Sequence, residues 1–345
     1  MRTRMLVVAA FFVMATVPAW LAWHTGVLPG PTQASAESTG VLTTSSVPVT
    51  VIAWPRDPLG LTASDSRVYW EQRSPDPAVA GLWYYDVPTG QVLQLLTRPS
   101  LGKSSGFPVA AGDLVVWTSW AGRRGAGTPT VQAYDGLSLR RWRVAAAGDA
   151  AAAAAEIVVW AEPNGSGPGD DTIHGVDSLT DAAYAVDAGG RVKALAASGR
   201  QLAWITDGKT NEVWAGSFKD ATRYRLAGRG AAVAIDHDRV IWAAGLGPRS
   251  SAIVCWDRSA HLTTVLSRLP GSSSQLSLSR RYAAWVTTTG TTGSQVWVYD
   301  FGLRKAYRVS MSGGRQVSPV ILAGSVYWAG DRDGHWELYS RSLQH

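Results

Sequence analysis

Seven segments ending in tryptophan decide how this chain is read: Arg67-Val-Tyr-Trp70, Leu114-Val-Val-Trp117, Ile157-Val-Val-Trp160, Gln201-Leu-Ala-Trp204, Arg239-Val-Ile-Trp242, Tyr282-Ala-Ala-Trp285 and Ser325-Val-Tyr-Trp328. Successive tryptophans stand 38 to 47 residues apart, 43 on average. A constant period of that length marks a chain built from one repeated supersecondary unit. Each segment is a near-continuous apolar run with polar or glycine-rich sequence on either side. That is the pattern of a strand covered on both faces.

Working outward, a second apolar-aromatic run follows each loop, and in five repeats it ends in aspartate: Asp86, Asp135, Asp177, Asp257 and Asp300. The fourth and seventh end instead in Ser217 and Ser340. Asp and Ser bond their own backbone two residues on, so these positions read as turn starters. A third short run follows the turn. Ahead of each tryptophan segment lies an Ala- and Ser-rich run, around Val109, Leu195, Val233, Leu278 and Ile321. Small residues suit the place where the units converge. In the third repeat this run is Ala150 to Ala155, which favours helix by propensity; the repeat register places it as a strand. The last repeat stops after a third strand, while Val47 to Trp54 (VPVTVIAW) is strand-like and precedes the first repeat. The expected fold is therefore all-β. It is a single β-propeller of seven four-stranded blades over residues 47–345, closed by the N-terminal strand, with six blades as the alternative.

Composition agrees. The 345 residues include 36 Gly and 17 Trp, 17% are charged, and the formal net charge is +6. Basic residues are scattered, so nucleic acid is not an expected partner. The lone Cys255 lies in the strand-like run IVCW, reads as a small buried hydrophobe, and rules out an internal disulfide.

The N-terminus carries its own signal. Arg2 and Arg4 precede an apolar stretch from Leu6 to Trp23, and Ala34-Ser35-Ala36 supplies an A-x-A site. Residues 1–36 are expected to be a signal peptide or a membrane anchor, since the apolar stretch approaches spanning length. Residues 37–46 read as a flexible spacer. Either outcome places the remainder outside the cytoplasm, secreted or membrane-anchored, and membrane contact is expected only through an uncleaved N-terminal segment. No cysteine follows the apolar stretch, so a lipoprotein anchor is not expected.

The last repeat, Trp328-Ala-Gly-Asp-Arg-Asp-Gly-His-Trp-Glu-Leu-Tyr-Ser340, resembles the repeat of TolB-like propellers, in which a D-R-D-G turn precedes a W-E-[IL]-Y strand. The fragments PVILAGSVYW and QVWVYDFGLRKAYRVS are similar to the same family. The resemblance implies a fold and little about activity. TolB itself resembles a six-bladed propeller behind a separate α/β domain, which the 46 residues ahead of the repeats cannot form. Some serine peptidases also place a propeller before a hydrolase domain, but this sequence has no G-x-S-x-G elbow.

No catalytic or metal signature stands out. The histidines (24, 174, 237, 261, 335 and 345) show no ligand spacing. Asp331-Arg332-Asp333-Gly334 lacks the later ligands of a calcium loop and reads as a tight turn. No cofactor, metal or catalytic residue is expected. The loop after Trp117 combines an aromatic plate with cations, so Trp120, Arg123 and Arg124 are the expected ligand-binding residues. The functional expectation is an exported, non-enzymatic scaffold that binds a protein partner or cell-envelope polysaccharide. The alternative is an exported glycoside hydrolase or lyase with carboxylates at the propeller funnel.

Overall fold

A computed structural model describes residues 50–343, except 54–57, 98–103, 122–127, 146, 149, 165–168, 248–249, 291–292 and 311–313. The expected leader, its A-x-A site and the spacer lie outside the described residues. The described chain forms seven antiparallel sheets.

From inner to outer strand, the first blade is Pro58–Ser64, Arg67–Gln72, Gly81–Asp86 and Gln91–Thr97. In the second, a split inner strand (Ser104–Ser105 and Val109–Ala111) precedes Leu114–Trp120, Thr130–Asp135 and Arg140–Ala145. The third comprises Ala151–Ala154, Ile157–Pro163, Asp171–Asp177 and Ala183–Asp187. The alanine run is thus a strand, paired residue for residue with Ile157–Trp160; burial between blades overrides its helical propensity. The fourth is Val192–Ser198, Gln201–Thr206, Val213–Ser217 and Arg223–Ala227. The fifth is Gly230–Asp236, Arg239–Gly247, Ser250–Asp257 and Leu262–Pro270. The sixth is Ser272–Leu278, Tyr282–Thr288, Ser294–Asp300 and Lys305–Arg308.

The seventh blade takes Arg315–Leu322, Ser325–Arg332 and His335–Ser342 from the C-terminal end, and its outer strand is Thr50–Ala53. Thr50 faces Ser340 and Ala53 faces Glu337 in antiparallel register. Closure by the N-terminal strand is therefore as expected, and it covers an edge that would otherwise be open. The D-R-D-G motif is a two-residue hairpin turn with Asp333 and Gly334 both at positive φ (56° and 81°), the geometry that matches strand twist.

The core is seven separate clusters, one at each junction between blades. Side chains alternate along the second strand, so Val116 turns to the blade after and Trp117 to the blade before. The other six repeat tryptophans do the same: Trp204 packs with Val159 and Ile173 of the third blade, and Trp70 with Val320 and Leu338 of the seventh. All seven are 7% exposed or less.

One hydrogen bond repeats at the turn end of every blade. The first residue past the third strand donates its N–H to the turn between the first two strands. Val87 gives to Ser66, Gly136 to Asp113, Ser178 to Glu156, Phe218 to Arg200, Arg258 to Asp238, Phe301 to Arg281, and Leu343 to Gly324. Both turns of each blade thus lie at one end of the ring, and the second-to-third connections lie at the other.

Trp285 is fully buried among Ile241, Ala283 and Ile253. Trp285→Ala is expected to cost about 3–5 kcal/mol, read by urea denaturation. Cys255, 5% exposed, has its thiol pushed up to about 12 by burial. It should resist iodoacetamide in the folded protein and react once urea unfolds it; rapid native labelling would contradict the packing described.

Candidate functional site

At the turn end the repeat aspartates are structural. Asp86 Oδ1 accepts from the Thr89 N–H and hydroxyl, Asp257 Oδ1 from Ser259 and the Ala260 N–H, and Asp300 Oδ1 from the Gly302 and Leu303 N–H groups. An arginine at or just before the start of the second strand meets this carboxylate in three blades: Arg67 with Asp86 (3.5 Å), Arg239 with Asp257 (3.5 Å) and Arg281 with Asp300 (3.3 Å). Several of these arginines also cover aromatic rings, with Arg239 lying 4.3 Å from the centre of Phe301 and Arg281 5.1 Å from Tyr282. A planar guanidinium suits both contacts, the carboxylate and the aromatic face.

At the loop end, hydroxyls and carboxylates fasten neighbouring blades. Asp171, opening the third strand of the third blade, accepts from the Val192 N–H of the next inner strand (2.7 Å). Ser294 plays the same part toward Gln316, accepting from its N–H and donating to its carbonyl. Ser251 and Ser273 share a hydroxyl bond of 2.7 Å between the fifth and sixth blades. Three repeat indoles find acceptors here: Trp160 in Glu162, Trp204 in the Ala188 carbonyl and Trp328 in Gln316.

Gln72 breaks this pattern. It ends the second strand of the first blade, is 1% exposed, and has no hydrogen-bond partner at either amide atom. An unmade pair of that kind at a buried position costs about 1–3 kcal/mol per group. The equivalent position in the other blades holds Ser119, Glu162, Thr206, Ala244, Thr287 and Gly330. Gln72 pairs in register with Pro58. On the same inner strand, a Cβ at Gly60 would lie 2.5 Å from the Cβ of Phe107. Phe107 is 47% exposed. Its neighbour Gly106 packs against Thr118 and the ring of Trp120. The loop end of the first two blades therefore gathers a buried amide, an exposed phenyl ring and the buried carboxylate of Glu71.

Of the expected ligand-binding residues, Trp120 belongs to this corner, but it is 5% exposed and part of the packing rather than an open plate. Arg123 and Arg124 lie outside the described residues. Neither Gln72 nor Phe107 was picked out by sequence. The available signal was a long amide at a position that five of the other repeats fill with a small residue or a hydroxyl. Among the described residues, no three His, Cys, Asp or Glu side chains meet as metal ligands. His174 stacks on Trp160, and the His237 ring nitrogen lies 2.6 Å from Asp236.

Comparison with known proteins gives the fold's relatives. No protein-family model matches the chain, and no curated protein matches it. Among solved structures, the β-propeller domain of the trilobed protease from Pyrococcus furiosus is similar over 70% of this chain and 81% of its own, at 11% identity and TM-score 0.54. That domain has an open velcro topology, whereas Thr50–Ala53 closes the ring here. A prolyl endopeptidase is similar over 81% of this chain at 16% identity and TM-score 0.57, and the chain spans about half (49%) of that enzyme's length. A chain of the mitotic checkpoint complex is similar over its whole length at 13% identity and TM-score 0.54.

The chain is a seven-bladed β-propeller, a fold it shares with propeller modules of peptidases.

The expectation of an exported cell-envelope scaffold, with a carbohydrate-active enzyme as its alternative, is corrected by this comparison, in which the similar folds include propellers of peptidases. Two of these three structures come from peptidases. The physical reason lies in the core. The repeat tryptophans are spent between blades and offer no stacking platform to a sugar. Among the described inner strands, Asp236 is the one carboxylate, and it sits at the turn end against His237.

Asp86 and Asp257 are held below the usual carboxylate range, first by the Thr89 and Ser259 hydroxyls. A depressed folded-state pKa contributes stability that is present above the unfolded value and lost as pH falls through the folded one. The melting temperature should be level between pH 7 and about 5 and fall below about pH 4, and Thr89→Val should shrink that fall. A decline beginning near neutrality would contradict this.

Proposed function

We propose that this ring is a peptidase-associated propeller that holds an extended stretch of polypeptide at the loop end of its first two blades and performs no chemistry itself. The observation that carries the reading is Gln72. A side-chain amide offers one donor group and one acceptor, the complement of a peptide unit. Phe107, partly exposed beside the same inner strand, offers an apolar surface to a side chain. The likeness to propellers of peptidases supports the association, and the TolB-like character of the last repeat belongs to the same reading as a property of the fold. Occupation of the site requires the wall around Gln72 to part, so binding would couple to local opening at the mouth of the first blade.

The test pairs affinity with stability. A fluorescein-labelled unstructured peptide should raise its anisotropy on the full chain, and Gln72→Leu should weaken that binding roughly tenfold, about 1.4 kcal/mol. The same variant should melt at the wild-type temperature or above it, because it removes a buried amide whose donor and acceptor are both unmet. Unchanged peptide affinity in a folded Gln72→Leu protein, or turnover of the peptide by the purified chain, would contradict the proposal.

A further inference from the structure

The turn end of the ring carries apolar side chains that the core does not use. Among the described residues, ten large hydrophobic side chains are exposed, and five are leucines in or directly beside the turns between third and outer strands. These are Leu137 and Leu139 in the second blade (80% and 73% exposed), Leu179 in the third (76%), Leu262 in the fifth (56%) and Leu303 in the sixth (59%). The repeated turn-to-turn hydrogen bond places all these turns at one end of the ring. The turns need polar residues for their own geometry, and Asp135, Asp177, Asp257 and Asp300 supply them. Nothing in a hairpin turn asks for a leucine at its tip, and five of the seven exposed leucines among the described residues gather at this one end, Leu93 and Leu246 being the others.

The chain also enters the ring at this end. The third strand of the seventh blade starts at the Asp333-Gly334 turn, at the loop end. It finishes beside Gly324, at the turn end, where the Leu343 N–H meets the Gly324 carbonyl. Thr50 pairs with Ser340 near that finish, so the closing strand starts near the turn end and the point to which the preceding sequence is joined lies there. That sequence includes the 18-residue apolar stretch Leu6 to Trp23, joined to Thr50 by 26 residues. A tether attached at one end of a body raises the effective concentration of whatever it is anchored in at that end.

We infer that the turn end lies against a lipid surface, with the leucine tips of the second, third, fifth and sixth blades dipping into its interfacial layer. Each inserted tip contributes through apolar burial, and several held rigidly on one ring act together. Exposed cations on these turns (Arg140, Lys219, Arg304) are accompanied by exposed carboxylates (Asp181, Asp220). Contact is therefore set by apolar area, and raising the salt should change it little. This inference is independent of the peptide site, which lies at the opposite end and would face away from the lipid.

The test uses the full chain with Cys255→Ser, so that a single introduced thiol can be labelled. NBD is placed at Leu179→Cys or Leu303→Cys, and at Leu246→Cys on the loop end as the control, Leu246 being 47% exposed. The proteins are reconstituted with phosphatidylcholine vesicles containing a doxyl-labelled lipid. Expected are a blue shift and strong doxyl quenching at positions 179 and 303, and neither at 246, with little change in high salt. Equal responses at the two ends, no response at 179 and 303, or failure of the chain to float with vesicles would overturn the inference. A shift that appears without vesicles and grows with protein concentration would assign the face to a second copy of the chain, and would overturn it as well. Tryptophan emission of each variant confirms that the ring is folded.

Discussion

Everything in this molecule depends on one packing rule: the tryptophan that ends each apolar run turns back onto the blade before it. Because side chains on a strand alternate, the residues on either side of it face the blade after. A single strand thereby belongs to two cores, and seven such strands make a closed circuit of seven clusters. No blade buries its faces alone, which is the general condition of repeat folds. Closure adds a further constraint, since the last cluster joins Val320 and Leu338 of the seventh blade to Trp70 of the first. The Thr50–Ala53 strand fixes that meeting by supplying the outer edge of the seventh blade.

This rule explains why the fold was so legible. The tryptophan spacing, the aspartate turns and the incomplete last repeat are each written in residue types, and together they specify blade number, strand order and closure. Even Ala151–Ala154 follows, because its register is set by the Ile157–Trp160 strand beside it. What the sequence does not reveal is where the inner strands depart from regular pairing. Those of the first, fourth, fifth, sixth and seventh blades carry register shifts, and in the first, sixth and seventh Gly60, Gln275 and Ser318 stand at positive φ. Gln275 and Ser318 are unusual there, and the Gln275 side chain accepts from the Ser318 N–H. Such features depend on neighbours more than forty residues away, and a local pattern does not record them.

The candidate site shows the same limit. An aromatic residue beside two arginines is a sound signal for a recognition surface, yet Trp120 is consumed by packing over Gly106. Exposure is a property of the assembled ring. Gln72, by contrast, looks like an ordinary polar residue after a strand, and its unmade hydrogen bonds appear only once the neighbouring strands enclose it. The two ends of the ring then divide their chemistry. The unpartnered amide lies at the loop end, while the aspartate turns and the leucine tips lie at the other.

The central claim, that seven tryptophan-pinned junctions and one closing strand make a single cooperative ring, is most directly tested by native-state hydrogen exchange with mass spectrometry. The account predicts that the second strands of all seven blades fall in one slowest-exchanging class, and that Thr50–Ala53 is protected together with His335–Ser342. Protection that declines blade by blade along the chain, or a Thr50–Ala53 segment that exchanges like the loops, would contradict it.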